Sequence, residues 1–222
     1  MEKYSNCWYE SVCQKYSNNC QNMCIRYKEM SYLMDNSNLP VKKQQPQRLN
    51  APDCDFDAYC RLAEIKDNIV DFVEQGKSLY LTSSHTGNGK TTWAIKLMHK
   101  YFDQIWGGNG FKPRAVFIHI PTFLGKCKDF NTKDPEFERL KQLLYTVDLV
   151  VWDDIGCLGM SAYDATQLIM PLDARSNAGL SNIYTGNITT LDGLSKAIGA
   201  KMASRVFSKD TEVIVFKGGD MR

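Results

Sequence analysis

The chain has 222 residues, 43% of them hydrophobic and 23% charged, with a formal net charge of +2. That length holds one α/β domain of ordinary size plus a small appendage, and no run approaches the ~18 apolar residues of a membrane-spanning helix. A near-neutral balance neither requires nor excludes nucleic acid, so any DNA contact must come from a local patch. The start, Met1-Glu2-Lys3-Tyr4-Ser5-Asn6, is polar with no apolar region behind it, so secretion is not indicated. Eight cysteines in such a chain are expected as reduced thiols or metal ligands rather than disulfides.

Four of those cysteines, Cys7, Cys13, Cys20 and Cys24, fall in the first 24 residues with the spacing C-x5-C-x6-C-x3-C. Cys20 and Cys24 are four apart and lead into a helical pattern (Ile25, Tyr27, Met30, Leu33, Met34), which puts both thiols on one helical face. A segment this small cannot bury a core of its own, and a tetrahedral Zn²⁺ on the four thiolates would hold it together. None of the spacings is the tight C-x2-C of common zinc modules, and cysteine also serves as a small buried hydrophobe. Residues 1–36 are read as a Cys-rich helical domain and residues 37–54, rich in Asn, Gln, Lys and Pro, as an extended linker. Residues 55–222 are read as the main domain. Cys54, Cys60, Cys127 and Cys157 show no ligand spacing and are expected to be packing residues.

The main domain opens with apolar positions at helical spacing from Asp55 to Gln75, ending at Gly76. The strand Ser78-Leu79-Tyr80-Leu81-Thr82 follows, then Ser84-His85-Thr86-Gly87-Asn88-Gly89-Lys90-Thr91-Thr92, then a helical run from Trp93. Strand, glycine-rich loop and helix are the context of a phosphate-binding loop. Gly87 and Gly89 let backbone N–H groups turn inward around phosphate oxygens. Lys90 can reach the β- and γ-phosphates, the Thr91 hydroxyl can ligate Mg²⁺, and the helix N-terminus adds its positive dipole end. Ser84 stands where the usual pattern has its first glycine, at some steric cost. The alternative is a Gly/Asn surface turn carrying an unrelated lysine.

A second strand is expected at Ala115–Ile120, a helix from Pro121-Thr122, and another from Glu136 to Leu144. Then Val147-Asp148-Leu149-Val150-Val151-Trp152-Asp153-Asp154-Ile155-Gly156 reads as a strand buried on both faces. Its two carboxylates lie at the C-terminal end, where ligands bind in open α/β sheets. Asp153 is placed to hold Mg²⁺ through water, and Asp154 to orient or deprotonate the attacking water. Asp-Asp at a strand end can also simply begin a turn. A helix from Ser161 to Ser176 and a strand Leu180–Thr185 lead to Gly186-Asn187, where Asn187 would face the γ-phosphate, though Asn after Gly is an ordinary turn signal as well. A helix over Lys196–Phe207 and a strand over Glu212–Phe216 complete the pattern.

These segments together resemble the successive ATPase motifs of the DnaC/DnaI replicative-helicase loaders, members of the AAA+ ATPases, and are similar also to IstB-type ATPases. The resemblance rests on Ser84–Thr91, Val150–Gly156, Tyr184-Thr185-Gly186-Asn187 and Ile198–Arg205, and covers about residues 50 to 222. It implies an α/β AAA+ P-loop ATPase with a five-stranded parallel sheet flanked by helices. Ser84, Thr86, Gly87, Asn88, Gly89, Lys90, Thr91, Thr92 and Asp153 would bind ATP, with Thr91 and Asp153 on Mg²⁺. Asp154, in place of the more frequent Glu, would serve the hydrolytic water; one methylene less implies slow turnover. Asn187 resembles sensor 1, and Arg205 the arginine finger that reaches a neighbouring subunit's nucleotide. Arg175 is the second candidate for that trans role, and Arg222 for a second sensor; a surface arginine pairing with a carboxylate is the plain alternative for Arg205. The Cys-rich front piece is similar to that of phage-encoded loaders and implies zinc and a grip on the helicase. The implied partners are a hexameric replicative helicase of the DnaB/DnaC type, single-stranded DNA and further copies of the chain, in a bacterial cytoplasm. Ser161-Ala162-Tyr163 resembles a Ser-x-Tyr lining the pore side in some loaders, and Phe130 beside Lys126 and Lys128 could stack a base; a core aromatic is the competing reading. Two other functions fit the same motifs: an IstB-like transposition helper, and a non-hydrolysing nucleotide-binding adaptor or inhibitor of the helicase.

Overall fold

The computed structural model describes residues 7, 13, 24–44, 49–50, 52–107, 110–129, 134–156 and 159–220. In chain order the elements are α1 (Ile25–Asp35), α2 (Phe56–Asp67), α3 (Ile69–Glu74), β1 (Ser78–Thr82), α4 (Lys90–Ile105), β2 (Ala115–His119), α5 (Ile120–Cys127), α6 (Pro135–Leu143), β3 (Leu149–Ile155), α7 (Ala162–Asn177), β4 (Ser181–Gly186), α8 (Leu191–Ile198), α9 (Ala200–Val206) and β5 (Thr211–Val215). Short 3₁₀ turns at Val41–Lys43 and Asp53–Asp55 precede α2. The five strands form one all-parallel sheet in the order β2-β3-β4-β1-β5. Among the described residues no helix is long and apolar enough to cross a membrane.

Every residue of β1 is buried and six of the seven in β3 are, because helices cover both faces of the sheet. The period-2 geometry of a strand divides its side chains between two cores. Leu79, Leu81, Phe117, Val151 and Ile183 face a layer built from α1 to α4. Tyr80, Val116, Ile118, Val150, Trp152 and Tyr184 face the layer of α5 to α9. In α4 the buried positions Trp93, Ala94, Leu97, Met98, Tyr101 and Phe102 repeat at helical spacing and press one stripe onto the sheet.

The single helices expected before β1 and before β5 are each two. Asn68 interrupts the first, its side-chain amide donating to the Glu64 carbonyl at 2.9 Å, an alternative to the helical ladder. Gly199, at φ 87°, separates α8 from α9. The helix α1 is too short to be stable alone. It buries Met30, Leu33 and Met34 in the same cluster as the sheet, at about 1.5–3 kcal/mol each, and Arg26 pairs with Asp103 of α4 at 2.7 Å. Ser37 and Asn38 then lie against the edge of β2: the Phe117 N–H donates to the Ser37 carbonyl at 2.7 Å, and Asn38 Nδ2 donates to the Phe117 carbonyl at 2.8 Å. Residues 25–39, on either side of the 36/37 division drawn from sequence, thus pack on the sheet and on α4. Cys7 and Cys13, partly buried, pack on the same cluster.

Candidate functional site

The site forms where the C-terminal ends of β1, β3, β4 and β2 meet the loop before α4. Thr86 to Thr92, Asp153, Asp154, Thr185 and Asn187 line an open cleft of about 670 Å³, together with Ile95, His119, Lys43 and Leu49. That volume is within the range of small-molecule sites.

Gly87 and Gly89 take positive φ (75° and 88°), the left-handed conformation that glycine adopts without a Cβ penalty. Ser84 does not: among the described non-glycine residues only Asn38 and Asp154 have positive φ. The steric cost expected for serine at that position is therefore absent, because the loop places its left-handed turns further along. Ser84 instead faces solvent with its hydroxyl 3.2 Å from His85 Nδ1, while Ser83, fully buried, accepts the His85 N–H at 3.0 Å.

Lys90 is almost wholly buried, and burial lowers the pKa of its ammonium, opposed by the nearby Asp154 and Asp153 carboxylates. Its ammonium is turned back on the loop: Nζ donates to the His85 carbonyl at 2.9 Å and to Asn88 Oδ1 at 2.8 Å. An incoming phosphate would replace those loop oxygens with charged ones, a stronger partner for the same cation.

The Thr91 hydroxyl donates to Asp153 Oδ1 at 2.6 Å, and the Thr185 hydroxyl donates to the same oxygen at 2.7 Å. The second residue of the helix behind the phosphate loop is thus tied to the acidic strand end by a direct bond. A hydroxyl and a carboxylate side by side are the oxygen donors that Mg²⁺ takes, usually keeping several waters. Asp154 sits at φ 68°, where the register between β3 and β4 slips between Trp152 and Ile155. Its backbone N–H donates to Thr185 Oγ1 at 3.0 Å. A bulge beside a site re-aims a side chain; here it brings the second carboxylate into the cleft beside the first.

Asn187, exposed just beyond β4, lines the same cleft as Asp154. Its position is fixed through its neighbour, because the Ile188 carbonyl accepts both the Tyr80 hydroxyl at 2.7 Å and the Thr82 hydroxyl at 3.0 Å. His119 was not singled out from sequence, being read simply as part of the second strand. It ends β2 exposed, in register with Asp153, and its Nδ1 lies 2.8 Å from Thr122 Oγ1. A titratable group closing an apolar strand next to the Asp-Asp strand was the available signal.

The remaining candidates lie elsewhere. Arg205, on α9, is partly exposed and its Nε donates to Asp173 Oδ1 at 2.7 Å, while Lys201 holds the other oxygen at 2.8 Å. Lys201 first and Arg205 second hold the Asp173 carboxyl below the usual range. Arg175 cannot serve in trans. It is fully buried, with its guanidinium enclosed by carbonyls at the base of β3 and β4. Ser161 caps α7 in a reciprocal box with Asp164, and the Tyr163 hydroxyl donates to the Cys127 carbonyl at 2.8 Å. Phe130, Cys20 and Arg222 lie outside the described residues. Among the described residues no group of three or more His, Cys, Asp or Glu side chains is placed to hold a metal ion, and Cys24 is exposed.

A parallel sheet in the order 2-3-4-1-5, helices on both faces, and a phosphate loop between β1 and α4 define the AAA+ P-loop ATPase fold. Solved structures of that fold include the replicative-helicase-loader class. A DnaI crystal structure is similar with TM-score 0.63 and 18% identity, covering 83% of this chain and 94% of that one. The DnaC helicase loader gives TM-score 0.62 and 17% identity, covering 77% and 94%. A DnaA replication initiator bound to AMPPCP and single-stranded DNA gives 0.58 and 13%, covering 78% of this chain and 50% of that one. No protein-family model and no curated protein sequence matches the chain.

Proposed function

We propose that the chain is an ATP-dependent loader of a hexameric replicative helicase onto single-stranded DNA, acting as an AAA+ ATPase with nucleotide at subunit boundaries. The observation that carries the reading is the Thr91–Asp153 bond, which joins the phosphate loop to a strand ending in two carboxylates, within a fold shared with DnaC and DnaI. ATP would sit on the loop, its phosphates drawn to Lys90 and the N-terminus of α4. Thr91 and Asp153 would hold Mg²⁺, whose chemistry is to neutralise charge on the phosphates. Asp154 would orient and deprotonate the attacking water, with Asn187 fixing the γ-phosphate end of the cleft. Arg205 would complete the site of a neighbouring copy, leaving Asp173 for a phosphate.

In steady-state assays with and without single-stranded DNA, Lys90→Ala is expected to abolish hydrolysis. Arg205→Ala is expected to retain ATP binding and lose about 10³-fold or more in rate at assembling concentrations. Normal hydrolysis by Arg205→Ala would remove the trans role. Capture of the host's replicative helicase by the full chain, lost when residues 1–50 are deleted, tests the loader assignment itself; no capture would leave an ATPase without that partner.

For the front piece, Cys7, Cys13, Cys20 and Cys24 would share one Zn²⁺ and form the helicase contact. Metal analysis of protein purified without chelator should then give about one equivalent of zinc per chain. A zinc content near zero would leave Cys7 and Cys13 as packing residues.

A further inference from the structure

The chain beyond β5 returns to the phosphate loop. The Phe216 N–H donates to the Thr82 carbonyl at 2.8 Å, at the last residue of β1, and its ring is buried edge-to-face on Tyr59. The next two N–H groups, of Lys217 and Gly218, donate to Asp55 Oδ1 and Oδ2 at 2.6 and 3.0 Å. Asp55 is 2% exposed, so this carboxylate is an anchor built into the domain. A Cβ on Gly218 would stand 2.7 Å from Asp55 Oδ2, which only glycine avoids. From that anchor the segment reaches two residues of the loop. The Gly218 carbonyl faces Asn88 Nδ2 at 3.4 Å, and the other end of the same Asn88 amide holds Lys90. The exposed Asp220 carboxylate lies against Gly87: a Cβ there would be 2.0 Å from Oδ1 and 2.8 Å from Oδ2.

We infer that residues 216–220 act as an anionic brake on the phosphate loop, with the Asp220 carboxylate competing against the phosphates of an incoming nucleotide. The inference rests on reading this loop as the nucleotide site and sets how tightly that site binds. A polyphosphate entering the loop meets a like charge at Gly87 and must take Lys90 from Asn88, whose amide is the loop's contact with the segment. Displacing Asp220 therefore accompanies binding, and the segment's position reports whether the loop is filled. On the cleft side of the loop Lys90 faces Asp154 and Asp153, and the Asp55 carboxylate holds the segment at Lys217 and Gly218.

Calorimetric titration of the full chain with Mg-ATP tests this, using wild type, Asp220→Asn, Gly218→Ala and the double variant. Asp220→Asn should bind about three- to tenfold more tightly at low salt. The gain should vanish near about 1 M salt, where the screening length is ~3 Å. Gly218→Ala, which crowds the Asp55 anchor and loosens the segment, should give a similar gain and add nothing to Asp220→Asn. Unchanged or weaker binding by Asp220→Asn overturns the brake, as does a gain that survives high salt, or weakened binding by Gly218→Ala, which would make the segment a brace. If wild type itself binds no ATP, the nucleotide reading fails and the brake with it. If wild type binds, Lys90→Ala does not, and Asp220→Asn matches wild type, only the brake is lost.

Discussion

Arg175→Ala is expected to lose about 3–5 kcal/mol of folding stability, measured by denaturant unfolding at neutral pH. The guanidinium donates from Nη1 to the Leu144 and Val147 carbonyls at 3.0 and 2.8 Å and from Nη2 to the Asp148 carbonyl at 3.1 Å. It also reaches the Ser181 carbonyl, and its Nε donates to Asn182 Oδ1 at 2.7 Å. That amide oxygen accepts Trp152 Nε1 as well, at 3.0 Å, so one side chain joins α7 to the starts of β3 and β4. Burial brings its pKa down to about 10, which still leaves it charged at neutral pH. Alanine would remove this donor from four carbonyls, of which that of Asp148 keeps the Ser181 N–H at 3.0 Å, and each buried group left unsatisfied costs about 1–3 kcal/mol before water or relaxation relieves some of it. A domain of ordinary stability has only about 5–15 kcal/mol in total. Arg175→Met, which keeps length and apolar bulk, should recover packing but not the hydrogen bonds. A loss under about 1 kcal/mol for Arg175→Ala would show that the carbonyls find other donors.

Asp154→Asn is expected to lower kcat for ATP hydrolysis by about 10²–10⁴-fold while leaving ATP affinity within a few-fold of wild type. The substitution isolates chemistry from backbone, since asparagine tolerates the left-handed conformation that Asp154 holds at φ 68°. It also keeps the N–H that donates to Thr185, so Asp153 and its bonds to Thr91 and Thr185 should stay in place. Asp154→Glu provides the complementary measurement. If the missing methylene limits turnover, glutamate should raise kcat, provided the bulge accepts it. Single-turnover kinetics with saturating nucleotide separates these effects from binding. Equal rates for wild type and Asp154→Asn would remove the catalytic role and favour a protein that uses nucleotide only to fix its shape.

Much of this site was legible because its parts are local. The phosphate loop is one consecutive run, Ser84–Thr92, that follows a strand and opens a helix, and Asp153-Asp154 closes four apolar residues that read as a buried strand. Asn187 follows from the same rule one strand along. What the sequence concealed is non-local. No pattern around Asp154 announces a bulge, because the slip exists only relative to β4. Arg175 has the polar neighbours of a surface helix, and its burial depends on carbonyls contributed from residues 144–148 and 181. His119 gains its place only when β2 pairs in register with β3. Helix α1 looked like part of a separate piece because composition changes after it, whereas its apolar side is complementary to α4 and the sheet. Asn68 and Gly199 are ordinary interruptions that periodicity passes over.

The left-handed backbone at Asp154 sets the comfort of the fold against the use of the site. A residue other than glycine held at such φ costs about 1–2 kcal/mol, and the surrounding bonds to Thr185 and the sheet must offset it. Glycine there would relax the chain and remove the carboxylate in one step. If Asp154 serves hydrolysis as proposed, a lineage that gave up hydrolysis but kept this fold would drift toward glycine at this position, shedding backbone strain as it lost turnover. The residue found there in such descendants would record which of the two had been retained.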